Sequence, residues 1–416
     1  MTHTTTAKPN LPDDSTQLKR VLNLPLLVLY GLGTTIGAGI YVLVGAAAGW
    51  AGLYAPLSFV LAAIAIAPTA ASYGELVSRF PVSAGEAAYV REGLRSKSVS
   101  AVIGWLVILS GIVASATVAI GCAGYLRTFI DLPLPLVVTA VVVVVGVVAA
   151  WGIMESVLIA ALFTLIEAGG LLILVWAGLS NETSPMVQMP SMLPPLDDLV
   201  IWAGIANAGL LAVFAFIGFE DMVNVAEETK RPHITVPLAI LATLLITTLL
   251  YFAVTLIAVT TVPPEELAGS EAPLSLVFER LTGMSPATIS AIAIFATLNT
   301  ILVQMIMASR VIYGMAEQQT MPQAFRQISE VTKTPVRATV AVGALTLVLA
   351  LGFPLDALAQ GTSQIVLLVW VATNTALIML KIRVPDPGIH GFKVPMAVPV
   401  AGLVLSAGLL IVTNLV

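Results

Sequence analysis

Charge is what this 416-residue chain has least of: Asp, Glu, Lys and Arg make up 10% of it. A soluble globular protein carries about 25% charged residues, so a soluble fold is excluded and an integral membrane protein is expected. Short alternating strands of the kind that build a bacterial barrel are missing, which leaves helices as the spans. The single cysteine, Cys122, excludes an internal disulfide framework and reads as a small buried residue of an apolar helix. Histidine is nearly absent: His3, His233 and His390 all lie outside the apolar runs. No HExxH, no GxSxG and no phosphate-cradling glycine loop occurs. These absences argue against an enzyme, and no cofactor, metal centre or nucleic-acid partner is expected. The first 20 residues, with Pro9, Asp13 and Asp14, lack the apolar core of a signal peptide. Residues 1–21 are therefore expected to be a disordered cytoplasmic tail.

What is present is a series of apolar runs. A span needs about 20 mostly apolar residues, and the runs place spans near 22–49, 54–78, 99–129, 133–151, 157–179, 199–223, 236–261, 285–313, 337–353, 361–382 and 396–416. The expected fold is an all-α polytopic membrane protein with about eleven transmembrane helices. The cationic residues test this independently. With these spans, 16 of the 18 Lys and Arg fall on one side, and Arg127 and Arg280 alone fall on the other. The positive-inside rule then puts the N-terminus in the cytoplasm, with the inner or plasma membrane as the expected location.

The first run contains "GLGTTIGAGIYVLVG", residues 31–45, with five glycines and two threonines. Glycine costs a helix interior about 1 kcal/mol relative to alanine. Span 6 contains "FAFIGFED", residues 214–221, where Gly218 is followed at once by Glu220 and Asp221. An acid at the centre of a spanning helix costs about 2.5–3.5 kcal/mol. Spans 1 and 6 are five apart, so they cross the bilayer in opposite directions. Paired glycine interruptions in two inverted halves point to a midplane binding site in a transporter. The competing reading is helix packing, because Gly33 and Gly37 also form a GxxxG. The crowding of Gly31, Gly37, Gly39, Thr34 and Thr35, with a matching break five spans on, favours unwinding.

These segments, with "YGELVSRFPVSAGEAAYV" (73–90), "FAFIGFEDMVNVAEETKRPHITVPLAI" (214–240), "SEAPLSLVFERL" (270–281), "LNTILVQMIMASRVIYGMAEQQTMP" (298–322) and "DPGIHGFKVPMAVPVAG" (386–402), resemble the amino acid–polyamine–organocation superfamily of secondary transporters. "GAGIYVLVG" is especially similar to its cationic-amino-acid-transporter-like branch. The resemblance implies a five-plus-five inverted-repeat (LeuT-like) fold with helices 1 and 6 broken at the substrate. It would occupy residues 22–382, as repeats 22–179 and 199–382, with residues 383–416 adding a loop and an eleventh helix. It also implies amino acid transport across the bilayer by alternating access.

Broken helix ends suit a zwitterion. The N–H groups of Gly37, Ala38, Gly39 and Ile40 begin the outer half of helix 1, and unpaired helix-start donors favour an anion such as an α-carboxylate. Carbonyls near Thr34, Thr35, Phe214 and Ile217 would accept from an α-ammonium. By resemblance, Phe214 covers the substrate and Glu220 is a protonation-linked gate. Glu167 departs from the family pattern, because many proton-coupled relatives carry lysine at the matching place. It reads as a proton carrier, as the partner of a cation, or as a protonated carboxyl bonded between helices. Thr297 and Thr300, with Asn299, are candidates for an oxygen-lined cation site. The expected coupling ion is a proton. A sodium-coupled carrier or an exchanger is the alternative, and a channel or receptor-like sensor is the alternative of another class.

Overall fold

The computed structural model describes residue 20 and residues 22–37, 39–81, 85–151, 157–180, 193–317, 321–329, 332, 334–384 and 391–415. Nearly all of the expected tail, and Ala38, lie outside the described residues. Among the described residues there is no strand, only an isolated bridge between Leu22 and Thr229.

The first apolar run folds as two helices. Helix α1 (Leu24–Ile36) starts where the Asn23 side chain accepts from the Leu26 N–H at 3.1 Å, with proline in its first turn. It ends at Gly37, whose φ of 5° and ψ of −107° are not helical. Helix α2 (Gly39–Ala51) resumes the span. A short 3₁₀ turn leads to α3 (Ala55–Arg79), followed by α4 (Gly85–Leu94), α5 (Lys97–Leu126), α6 (Leu134–Trp151) and α7 (Val157–Leu179). The second half opens with α8 (Leu199–Phe216), capped by Asp198, whose carboxylate accepts from Val200 and Ile201 N–H. It too stops short. The chain turns extended at Ile217 and continues as a 3₁₀ helix, Glu220–Glu228. Then come α9 (Pro232–Thr261), the short α10 (Pro264–Gly269) and α11 (Pro273–Thr282), then α12 (Ala287–Glu317), α13 (Val336–Gly352), α14 (Leu355–Arg383) and α15 (Ala397–Leu415).

Eight helical stretches among the described residues are long and apolar enough to cross a membrane, with Gly39–Arg79 counted as one. Three shorter apolar helices, Leu24–Ile36, Val336–Gly352 and Ala397–Val412, occupy other expected span positions. Helices far apart in the chain are neighbours in space: α2 packs on α8, α3 on α9, α5 on α12 and α6 on α13. The chain entering α1 and the chain leaving the 3₁₀ helix are also tied together. Leu22 N–H donates to Glu228 O at 3.0 Å, and Lys230 N–H donates to Leu22 O at 2.8 Å.

Where α3 ends, a buried ion cluster joins both halves to α15. Glu75 is fully buried; its Oε1 accepts from Arg79 Nη2 at 2.7 Å. Its Oε2 faces Lys381 Nζ at 2.7 Å and accepts from Val394 N–H at 2.8 Å. Lys381 donates in turn to Val394 O at 2.6 Å. Thus α3, α14 and the segment entering α15 share one carboxylate. Removing one partner of a buried ion pair costs about 3–5 kcal/mol, because the others stay buried without compensation. Glu75→Gln is expected to lower the melting temperature of the detergent-solubilised protein by several degrees, measured by tryptophan fluorescence. An unchanged melting curve would remove this cluster from the forces that hold α3, α14 and α15 together.

Candidate functional site

The two helix breaks lie against each other. Thr34 Oγ1 donates to Gly218 O and to Gly31 O, each at 3.0 Å. Gly218 has a φ of +120°, a conformation that side chains rarely adopt. A Cβ there would also lie 2.4 Å from Thr34 O, so both geometry and space require glycine. One turn away, a Cβ on Gly39 would lie 2.4 Å from Ala215 Cα. The start of α2 and the end of α8 therefore cross backbone to backbone. Gly39 serves this close approach, and the helix breaks at Gly37 as the unwinding reading requires.

The carbonyls exposed by the breaks are largely occupied within the protein. The Tyr251 hydroxyl lies 2.8 Å from Thr35 O and 2.9 Å from Ala215 O, sharing its proton between the two chain breaks. Phe214 O accepts from Ile217 N–H at 3.1 Å, and Gly218 O accepts from Asp221 N–H at 3.1 Å. Glu220 Oε2 accepts from Gly218 N–H at 3.0 Å, so this carboxylate caps the break from below. Two more buried tyrosines repeat the device. Tyr41 donates to Glu167 O at 2.9 Å, and Tyr125 donates to Tyr41 O at 2.6 Å. The sequence offered one faint signal for them, since a buried phenol needs a hydrogen-bond partner.

Two cavities flank the crossing. The first, about 420 Å³ including its open mouth, is lined by Thr34, Thr164, Asp221, Asn299, Thr300 and Gln304 among others. The second, about 470 Å³ on the same measure, runs from Ile217 between α4, α5, α12 and α14 and carries Glu86, Glu220 and Asp221. Asp221 and Gln304 line both. Burial holds the Glu86 carboxyl above the usual carboxylate range, and Tyr73 donates to its Oε1 at 3.3 Å.

Of the residues picked from sequence, Thr34 and Thr300 line the first cavity, and Ile217 and Glu220 line the second. Gly37 faces Thr300, whose Oγ1 would lie 2.3 Å from a Cβ. Thr35, Gly39, Ile40, Phe214 and Gly218 are buried at the crossing and line neither cavity. Ala38 lies outside the described residues. Thr297 donates to Ala293 O at 2.7 Å within its own helix and does not reach the cavity that Asn299 and Thr300 line. Glu167 is 1% exposed, and among the described residues neither of its buried carboxyl oxygens has a hydrogen-bond partner. Glu86, Asp221, Gln304 and Tyr251 were not singled out as binding residues. Their positions depend on helices far apart in the chain.

The amino acid permease family model matches residues 22–416. The chain is 30% identical to the branched-chain amino acid permease BcaP of Bacillus subtilis (strain 168), over 96% of this chain and 88% of that one. It is 30% identical to a vacuolar cationic amino acid transporter 4 of Arabidopsis thaliana, over 90% of this chain and 65% of the plant protein. It is 26% identical to a methylthioribose transporter of Bacillus subtilis (strain 168), over 95% and 88% of the two chains.

The crossing yields two expected outcomes. Tyr251→Phe strips the donor from two buried carbonyls, and an unsatisfied buried group costs about 1–3 kcal/mol. Its expected effect is a lower melting temperature with reduced ligand affinity, read in detergent by fluorescence and by calorimetry. Gly39→Leu drives a side chain into Ala215 backbone that cannot give way, and is expected to abolish uptake. Wild-type uptake by this variant would show that the crossing is not needed.

Proposed function

Because the chain belongs to the amino acid permease family, we propose that it is a secondary active amino acid transporter that works by alternating access and couples uptake to protons. The observation that carries this reading is the paired interruption of spans 1 and 6, which meet at Thr34 and Gly218 beside a cavity. Irregular backbone at membrane depth is tolerated where protein or a wet cavity covers it. Here Tyr251 bonds the carbonyls of Thr35 and Ala215, and Glu220 accepts from Gly218 N–H, so groups freed at both breaks are satisfied within the protein. The remaining helix-start donors of the Gly37–Ile40 turn, on the far side of the crossing, would be offered to an α-carboxylate. Thr34 and the oxygens of Asn299 and Thr300 in the first cavity suit an α-ammonium.

Glu167 supports proton coupling. Its carboxyl is sealed from water with no donor on either oxygen. An ionised carboxylate in that setting costs several kcal/mol, so the group holds a proton or a cation. It belongs to α7, which packs on α1 and α12, and its own main-chain carbonyl is bonded by Tyr41 of α2. A change of charge there acts directly on both halves of span 1. The excess of Lys and Arg on one side supports an N-terminus in the cytoplasm of a cell whose plasma membrane holds the protein.

The test is uptake of a panel of labelled amino acids into proteoliposomes, with and without an imposed pH gradient, and with sodium replaced by choline. Saturable uptake driven by inward proton movement and indifferent to sodium is expected. Ohmic conductance would point to a channel, and dependence on sodium would transfer the coupling to that ion. Glu167→Gln is expected to abolish the response to the pH gradient while substrate still binds. A wild-type response in that variant would end its role as proton carrier.

A further inference from the structure

Arg127 and Arg280 are the two cations that fall on the side opposite most Lys and Arg. Both are paired with acids of the segment that holds α10 and α11. Arg280 Nη2 donates to Glu266 Oε1 at 2.6 Å, joining α11 to α10. Arg127, just past the end of α5, donates to the Glu271 carboxylate. Backbone meets backbone here as well. A Cβ on Gly124 would strike Glu271 O, and one on Gly45 would lie 2.5 Å from Leu267 O. The two short helices are therefore seated directly on α5 and α2, as a cover.

From this cover a polar path runs inward to Glu167. The main chain of Leu274, in α11, faces the Tyr125 hydroxyl. Tyr125 donates to Tyr41 O at 2.6 Å, and Tyr41 donates to Glu167 O at 2.9 Å. The path links α11, α5, α2 and α7 in that order. The two rings meet edge to face with centroids 6.4 Å apart, and both residues are fully buried. Each phenol is long enough to carry its bond to a neighbouring helix, so each bond fixes two helices to one another. The Tyr41 phenol also lies within electrostatic reach of the Glu167 carboxyl. Glu167 is too deeply buried to exchange a proton with water directly, so a local opening has to precede each exchange.

We propose that Tyr41 and Tyr125 are positioning residues for the proton step: they tie the cover formed by α10 and α11 to the helix that carries Glu167, so that Glu167 meets protons from that side only when the cover lifts. This rests on the transporter reading above, in which Glu167 carries the proton. Coupling between two sites needs a physical connection that both can bias. Here the cover is one end of the connection, the charge of Glu167 is the other, and the two phenols lie between them.

The test compares two activities in proteoliposomes, with labelled L-leucine and L-lysine as probes. One is uptake driven by an imposed pH gradient, and the other is exchange of the same amino acid without a gradient. Tyr41→Phe and Tyr125→Phe keep the ring and remove the donor. One hydrogen bond shifts an equilibrium about fivefold, so each variant is expected to lose about that factor in gradient-driven uptake while exchange is unchanged. In a Glu167→Gln background the same substitutions are expected to change nothing further, because residues on one path are not additive. Arg127→Gln, at a half-exposed position, loosens the same cover and is expected to act in the same direction. Loss of both activities in equal proportion, or wild-type gradient-driven uptake in all three variants, would overturn the link between the cover and Glu167. Wild-type protein that exchanges a probe but ignores the gradient would instead overturn the proton reading of Glu167 on which the link rests.

Discussion

Everything at the centre of this molecule depends on two broken backbones approaching without side chains between them. Gly218 lies against Thr34, and Gly39 against Ala215, at distances that a Cβ could not occupy. Breaking a helix inside a membrane frees N–H and C=O groups that lipid cannot satisfy. The neighbouring helices answer that demand. Tyr251 of α9 bonds one carbonyl from each break, Thr34 bonds the carbonyl of Gly218, and Glu220 caps the Gly218 N–H. The break is therefore a built feature with its own hydrogen bonds.

Buried carboxylates divide by what surrounds them. Glu75 is matched by Arg79, Lys381 and a backbone N–H, so it joins helices and does no other work. Glu167 has no hydrogen-bond partner on either oxygen among the described residues. Glu86, Glu220 and Asp221 share a cavity with no Lys or Arg among its lining residues. The same side-chain type thus meets three different surroundings, according to whether a counter-charge is packed beside it.

Low charge, long apolar runs and the paired glycine interruptions were sufficient to read a polytopic helical transporter whose helices 1 and 6 are broken. These are legible because they are local: hydropathy and glycine content are properties of a single stretch of chain. The break positions also followed, since Gly37 and Gly218 stand where α1 and α8 stop. The details of the cradle were less legible. Carbonyls near Thr35 and Phe214 seemed open to a ligand, yet Tyr251 and Ile217 occupy Thr35 O and Phe214 O, because partners 216 and three residues away reach them only after folding.

Glu86, Tyr251 and Gln304 gain their importance through contacts between helices distant in sequence, and a single chain read in order carries no record of those contacts. The amino acid sequence by itself determined that this protein lives in a bilayer, how its apolar segments are ordered, and where two of them must break. Only the tertiary structure decided which freed backbone groups are already bonded, which carboxylates have partners, and which two cavities meet at Asp221 and Gln304. The reason is physical: insertion into lipid is governed by the composition of each segment, whereas satisfaction of a buried polar group is governed by what packs beside it.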